Sequence, residues 1–133
     1  MILNLQNSVS TITEINNAIA AMRTSFGDRK VIGLDCEWKV QYGRHGNQDK
    51  IALMQLSYLD NEDQMRVLLI MLYRHSKLPD MLEMLLLDTS IKYVGINVSG
   101  DLLKVGQDFQ IVDRIRNKVS SQTVVNLGKY ARL

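Results

Sequence analysis

The chain has 133 residues, a formal net charge of +2, 46% hydrophobic and 23% charged side chains. That is the length of one ordinary domain with enough apolar residues to bury a core, and it excludes a disordered chain. No apolar run reaches bilayer length and Met1–Asn7 has neither the basic nor the apolar region of a signal peptide, so no membrane partner is expected and an intracellular location is, whether nuclear, cytoplasmic or organellar.

Charge is unevenly spread. Residues 104–133 carry six basic side chains (Lys104, Arg114, Arg116, Lys118, Lys129, Arg132) against Asp108 and Asp113, a net of +4, which leaves −2 for residues 1–103. A basic tail suits phosphate contact and equally suits a solvated surface. The single cysteine, Cys36, excludes an internal disulfide and reads as a small core residue.

Taken in chain order, Ile12, Ile15, Ile19, Met22 and Phe26 recur at helical steps. Thr11 and Glu14 fit a capping box at the start, and Gly27-Asp28 fits the end. Lys30–Trp38 reads as a strand, with the apolar run Val31-Ile32-Gly33-Leu34 leading into Asp35-Cys36-Glu37-Trp38. Side chains alternate along a strand, so Asp35 and Glu37 share one face while Leu34, Cys36 and Trp38 take the other. Paired carboxylates in an apolar strand are costly unless a cation compensates them, or unless that face is simply exposed.

Lys39–Lys50, with Gly43 and Gly46-Asn47, reads as a mobile connection. Ile51–Tyr58 and Met65–Leu72 read as two further strands joined by the acidic turn Asp60–Asp63, an antiparallel hairpin. Pro79 opens a helix at a first-turn position, with Met81, Leu82, Leu85 and Leu86 on its buried side. Lys92–Asn97 is a strand parallel to the first, because a helix precedes it. Asp101 then falls near the start of a helix that offers Leu102, Val105 and Phe109 for packing. An aspartate there is a capping choice, or it is a third acid brought to the sheet edge beside Asp35 and Glu37. Val124–Ala131 reads as a short strand running into a new helix, an end that looks cut within the fold. His45 and His75 read as surface residues.

Gly33–Trp38, Ile51–Leu56 and Val94–Lys104 resemble, in that order, the first exonuclease motif, the second strand and the second exonuclease motif of the DEDD 3′–5′ exonucleases. The resemblance is to the branch with the Werner syndrome exonuclease domain, RNase D and the exonuclease 3′–5′ domain-containing proteins, and it spans about Gly33 to Ala131. It implies an α/β, RNase H-like mixed sheet, three antiparallel strands then parallel ones, flanked by helices. It also implies hydrolysis of nucleotides from the 3′ end of DNA or RNA with two divalent ions, Mg²⁺ or Mn²⁺. By position Asp35 would bridge the ions, Glu37 would hold the nucleophile-side ion and Asp101 would support the second.

Asn126 stands where the family more often has aspartate. The family's third motif, a tyrosine or histidine followed by a metal-binding aspartate, has no counterpart in this sequence. The expectation is therefore one domain over residues 1–133, truncated before the last helices, and a weak or inactive exonuclease. The alternative is a degenerate, non-catalytic RNase H-like module that binds nucleic acid or a protein. Trp38, Lys104, Arg114 and Arg116 are the candidate contacts to single-stranded or 3′-ended nucleic acid. A sheet face left without helices would favour self-association.

Overall fold

The computed structural model describes residues 4–40, 48–121 and 123–129. The first helix, α1 (Ile12–Ser25), follows a short strand, β1 (Asn4–Val9). Its capping box forms as expected: the Glu14 amide donates to Thr11 Oγ1 at 3.1 Å and the Thr11 amide to Glu14 Oε1 at 3.0 Å. Ile15, Ile19, Met22 and Phe26 are buried, but Ile12, at the first helical position, is 57% exposed and drops out of the stripe.

The sheet has six strands in the order β1-β4-β3-β2-β5-β6. The central strand is β2 (Val31–Val40), antiparallel to β3 (Gln48–Leu59), which is antiparallel in turn to β4 (Met65–Met71). On its other side β2 runs parallel to β5 (Lys92–Gly95), and β5 parallel to β6 (Val124–Asn126). The antiparallel-then-parallel pattern is therefore the expected one. Two differences stand out. β1 adds a parallel edge strand beside β4 that its polar sequence does not announce. The β2–β3 ladder also reaches Val40↔Gln48, so part of the expected loop is strand, and its remaining residues, 41–47, with His45, lie outside the described residues.

Helix α2 (Asp80–Leu87) has Pro79 as its N-cap, one position ahead of the expected place, and buries Leu82, Leu85 and Leu86. Helix α3 (Val98–Asp108) is followed by α4 (Val112–Ser120), a stretch noticed in the sequence only for its charge. A 3₁₀ turn, Leu127–Lys129, follows β6, and the rest of the expected helix start, residues 130–131, lies outside the described residues. His75 is tied by Nε2 to the Ser10 carbonyl at 2.6 Å, a structural tether.

One core holds the fold together. Ile32, Leu34 and Cys36 of β2, Met54 and Leu56 of β3, Leu68 and Ile70 of β4 and Tyr93 of β5 pack with the buried residues of all four helices. The alternate residues of β2, Val31, Gly33, Asp35 and Glu37, lie on the opposite face. Two hollows of about 410 and 450 Å³ open there, and no residue of α1 to α4 lines either one.

Part of the basic tail is inside. Lys118 is 1% exposed and donates to the carbonyl of Asp88 at 2.8 Å and to that of Ile91, with its ammonium 4.8 Å from the Tyr93 ring centre. It ties α4 to the turn between α2 and β5. Burial pushes its ammonium down to about 8 from the ordinary 10.5, with Asp88 pulling it back up. Between those values the unfolded chain holds a proton that the folded chain has lost, so this residue's contribution to stability rises with pH across that window.

Cys36 and Tyr93, both pushed up by burial, act in the opposite sense once their unfolded forms ionise, so the effect has to be read as a difference. The melting-temperature advantage of the native chain over Lys118→Met should widen from pH 8 to pH 10.5. A constant or shrinking gap in thermal melts would contradict this assignment.

Candidate functional site

The site follows from where β5 stops. Its ladder with β2 covers only Val31↔Lys92, Ile32↔Tyr93 and Gly33↔Val94, and the strand ends at Gly95. Beyond Gly33, that edge of β2 has no neighbouring strand among the described residues, and a backbone amide left there needs another acceptor. The chain turns at once into α3, which supplies it: Cys36 N donates to Asp101 Oδ2 at 3.1 Å. A carboxylate from the distant helix thus binds the amide of the residue between Asp35 and Glu37.

Helix α3 is pinned along the sheet at further points. Ile51 N donates to Asp108 Oδ2 at 2.8 Å, and Lys104 Nζ donates to the Asp49 carbonyl at 2.9 Å and to Asp108 Oδ1 at 3.1 Å. Both contacts fall where the β2–β3 register shifts after Glu37 and again after Trp38. Bulges of this kind bend a strand and re-aim its side chains, and they are common beside functional sites.

Asp35 and Glu37 are exposed while Leu34 and Cys36 are 3% and 6% exposed, as the two-residue period requires. Asp101 is only 5% exposed. Burial foremost pushes its carboxyl up to about 6; the Cys36 N–H bond pulls it down, and the charges of Asp35 and Glu37 add to the rise. The three acids therefore sense one another, and a bound cation would relieve that concentration of negative charge. The Cys36 thiol, buried and facing away, is pushed far up and is chemically quiet.

The expected convergence is incomplete. Among the described residues, no three His, Cys, Asp or Glu side chains form a ready-made ion cage. The physical reason is that Asp101 reaches the strand edge from the helix side while Asp35 and Glu37 project from the opposite face. The donor set still suits a hard divalent ion, which takes carboxylate oxygens. Asp35 and Glu37, being exposed, can change rotamer at small cost to gather around one.

The weaker site residues divide. Lys104, with 11% side-chain exposure, spends its ammonium on Asp49 and Asp108 and sits 5.6 Å from the Trp38 ring centre. It is a strut of α3, and a phosphate would have to compete with this part-buried pair to reach it. Trp38 is half-buried against the core, away from the acids. Arg114 and Arg116 are exposed on α4, the first 3.3 Å from Glu83 and the second 3.9 Å from Asp113.

Sequence reasoning gave no role to the Cys36 amide or to Asn126. The first is a backbone group and leaves no sequence signal; the second stands out only as a place where the family more often has aspartate, and its contact with Ser99 is set in space.

Over 91 residues, 68% of this chain, the sequence is 34% identical to the Mus musculus bifunctional 3′-5′ exonuclease/ATP-dependent helicase WRN, and the match covers 6% of that protein. The crystal structure of the EXD2 exonuclease domain matches with a TM-score of 0.65 and 26% identity, over 80% of this chain and 52% of that one. The same domain soaked in Mn matches with a TM-score of 0.63 and 25% identity, over 80% and 53%. The chain thus spans about half the length of the EXD2 domain chains and a small part of the mouse protein. No family model matches. With a strand carrying Asp35 and Glu37 at the centre of the shared sheet and Asp101 delivered to its edge, the chain belongs to the DEDD 3′–5′ exonuclease domains.

Proposed function

We propose that this chain is a 3′–5′ exonuclease domain that engages nucleic-acid 3′ ends and depends on Mg²⁺ or Mn²⁺, with Asp35, Glu37 and Asp101 as the ion-holding residues. The supporting observation is the Asp101 bond to the Cys36 amide, which sets a helix carboxylate beside a strand that already carries two. When bound, the ions would supply an activated water and a counter-charge for the leaving 3′ oxygen. The chain's own part is to hold the acids: β2 fixes Asp35 and Glu37 by its pairing with β3, and α3 fixes Asp101. Crystal structures of the EXD2 exonuclease domain soaked in Mn and GMP and in Mg and dGMP are among the matching structures, in line with a site that takes metal and nucleotide.

Mn²⁺ titration followed by the electron paramagnetic resonance of the free ion tests the ion-holding set. Asp35→Asn, Glu37→Gln and Asp101→Asn should each weaken binding about tenfold or more, the scale of losing one charged ligand. Unchanged affinity in all three would remove the reading.

A non-catalytic binding module is the second reading, supported by the lack of a ready-made cage among the described residues. It predicts affinity for single strands that falls steeply with salt and no trimming at any Mn²⁺ concentration. Arg114 and Arg116 are the proposed phosphate contacts under either reading. A second copy of the chain is a further proposed partner: Val31 and Ile96 remain 47% and 67% exposed on or beside the open sheet face. Molar mass that rises with concentration would support it.

A further inference from the structure

We propose that Asn126 is a positioning residue for the Asp35–Glu37–Asp101 site, acting through the first turn of α3. This deepens the ion-holding function proposed above and rests on it. The first amides of a helix have no partners inside it, and the residue in the capping position ordinarily supplies one from its side chain. In α3 that residue, Asn97, makes no side-chain capping bond. The acceptor comes instead from another strand: Ser99 N donates to Asn126 Oδ1 at 2.9 Å. Asn126 Nδ2 donates in turn to Ser99 Oγ at 2.9 Å.

The orientation of this amide is fixed by chemistry. A backbone N–H needs an acceptor, so the oxygen must face Ser99 N and the nitrogen must face the hydroxyl. Asn126 is the last residue of β6, paired with Gly95, the residue at which β5 ends. The strand next to the gap in the sheet therefore caps the helix that fills the gap. Gly128 N adds a bond to the Ile96 carbonyl at 3.0 Å, so the turn after β6 is fastened to the same junction.

Asp101 lies two residues beyond Ser99 in the same first turn, and its amide donates to the Asn97 carbonyl at 3.0 Å. Its carboxylate meets Cys36 N only if that turn keeps its place. Without the Asn126 cap the turn can unwind from its first residues, and Asp101 is within reach of the unwinding. The substitution Asn126→Asp retains the acceptor toward Ser99 N and lets the Ser99 hydroxyl donate to it, so it should hold the turn equally well.

The test combines amide hydrogen exchange and Mn²⁺ affinity on the full chain. Asn126→Ala should speed exchange at Cys36 about tenfold relative to Ile70 in β4, and weaken Mn²⁺ binding by about 10–100-fold, the range for residues that orient ligands. Asn126→Asp should restore both to within about threefold of the native chain, since it keeps the acceptor that caps the turn. Thr11→Ala, which removes the cap of α1 on another part of the fold, should leave the Cys36-to-Ile70 ratio and the affinity unchanged.

If Asn126→Ala leaves the exchange ratio unaltered, or if Thr11→Ala moves it as far, Asn126 is only a contributor to overall stability and the proposal fails. If the ratio responds to Asn126→Ala and is restored in Asn126→Asp, yet the native chain binds no Mn²⁺, the positioning role stands and the ion-holding function is what fails.

Discussion

Given a 5′-labelled single strand and Mn²⁺, the 133-residue chain should trim it about 10²–10⁴-fold more slowly than a family member that has the third motif, the cost of removing single catalytic groups. The resemblance assigns to that motif both a metal-binding aspartate and the group that orients the attacking water. No tyrosine in this sequence has an aspartate four residues later. Tyr93, on the strand beside β2, is buried with its hydroxyl donating to the Leu85 carbonyl at 2.6 Å, so it cannot take the role. Whatever trimming remains should disappear in Asp35→Ala. Single-turnover rates on the same substrate decide the matter: trimming as fast as the complete family member, and lost in Asp35→Ala, would show that these three acids suffice.

Gly95→Ala should cost about 1–3 kcal/mol of stability, the usual range for forcing extra atoms into a packed place, and should also weaken Mn²⁺ binding. A Cβ at Gly95 would stand 2.4 Å from the Leu34 carbonyl oxygen and 2.7 Å from Val98 Cγ2. Neither neighbour yields cheaply. The carbonyl belongs to the central strand, and Val98 is fully buried at the start of α3. Relief requires β5 to part from β2 or α3 to shift, and either movement draws Asp101 away from Cys36 N.

Gly27→Ala is the useful contrast. There φ is +55° and nothing lies within 4 Å of the added carbon, so its cost is conformational, about 1 kcal/mol. Because Gly27 sits in the turn after α1, before β2 begins, and the added carbon would touch nothing, Mn²⁺ affinity should be unaffected. Denaturant unfolding and Mn²⁺ titration of the two variants separate a site effect from a general one. Equal loss of affinity in both would refute the role given to Gly95.

Much of the fold was legible because local pattern and tertiary demand agree. The Thr11–Glu14 box starts α1 by its own side chains, and the two-residue period puts Asp35 and Glu37 on one face whatever lies around the strand. Other elements depend on partners the sequence does not display. β1, with the sequence NLQNSV, has little alternation of its own and exists by pairing with β4. In α4, whose polar residues dominate, Ile115 and Lys118 supply the buried face, and a lysine is not read as core until carbonyls are found waiting for it.

The site divides along the same line. By itself the sequence determined that two acids share a face of a central strand and that a third opens a later helix, because these are matters of backbone period and element order. Only the tertiary structure decided that β5 ends early, that the Cys36 amide so exposed is met by Asp101, that Lys104 is tied inward and that Asn126 caps α3. Each of these is a contact between residues far apart in the chain, and a side chain's hydrogen-bond partners and hydration are set by what folding brings next to it.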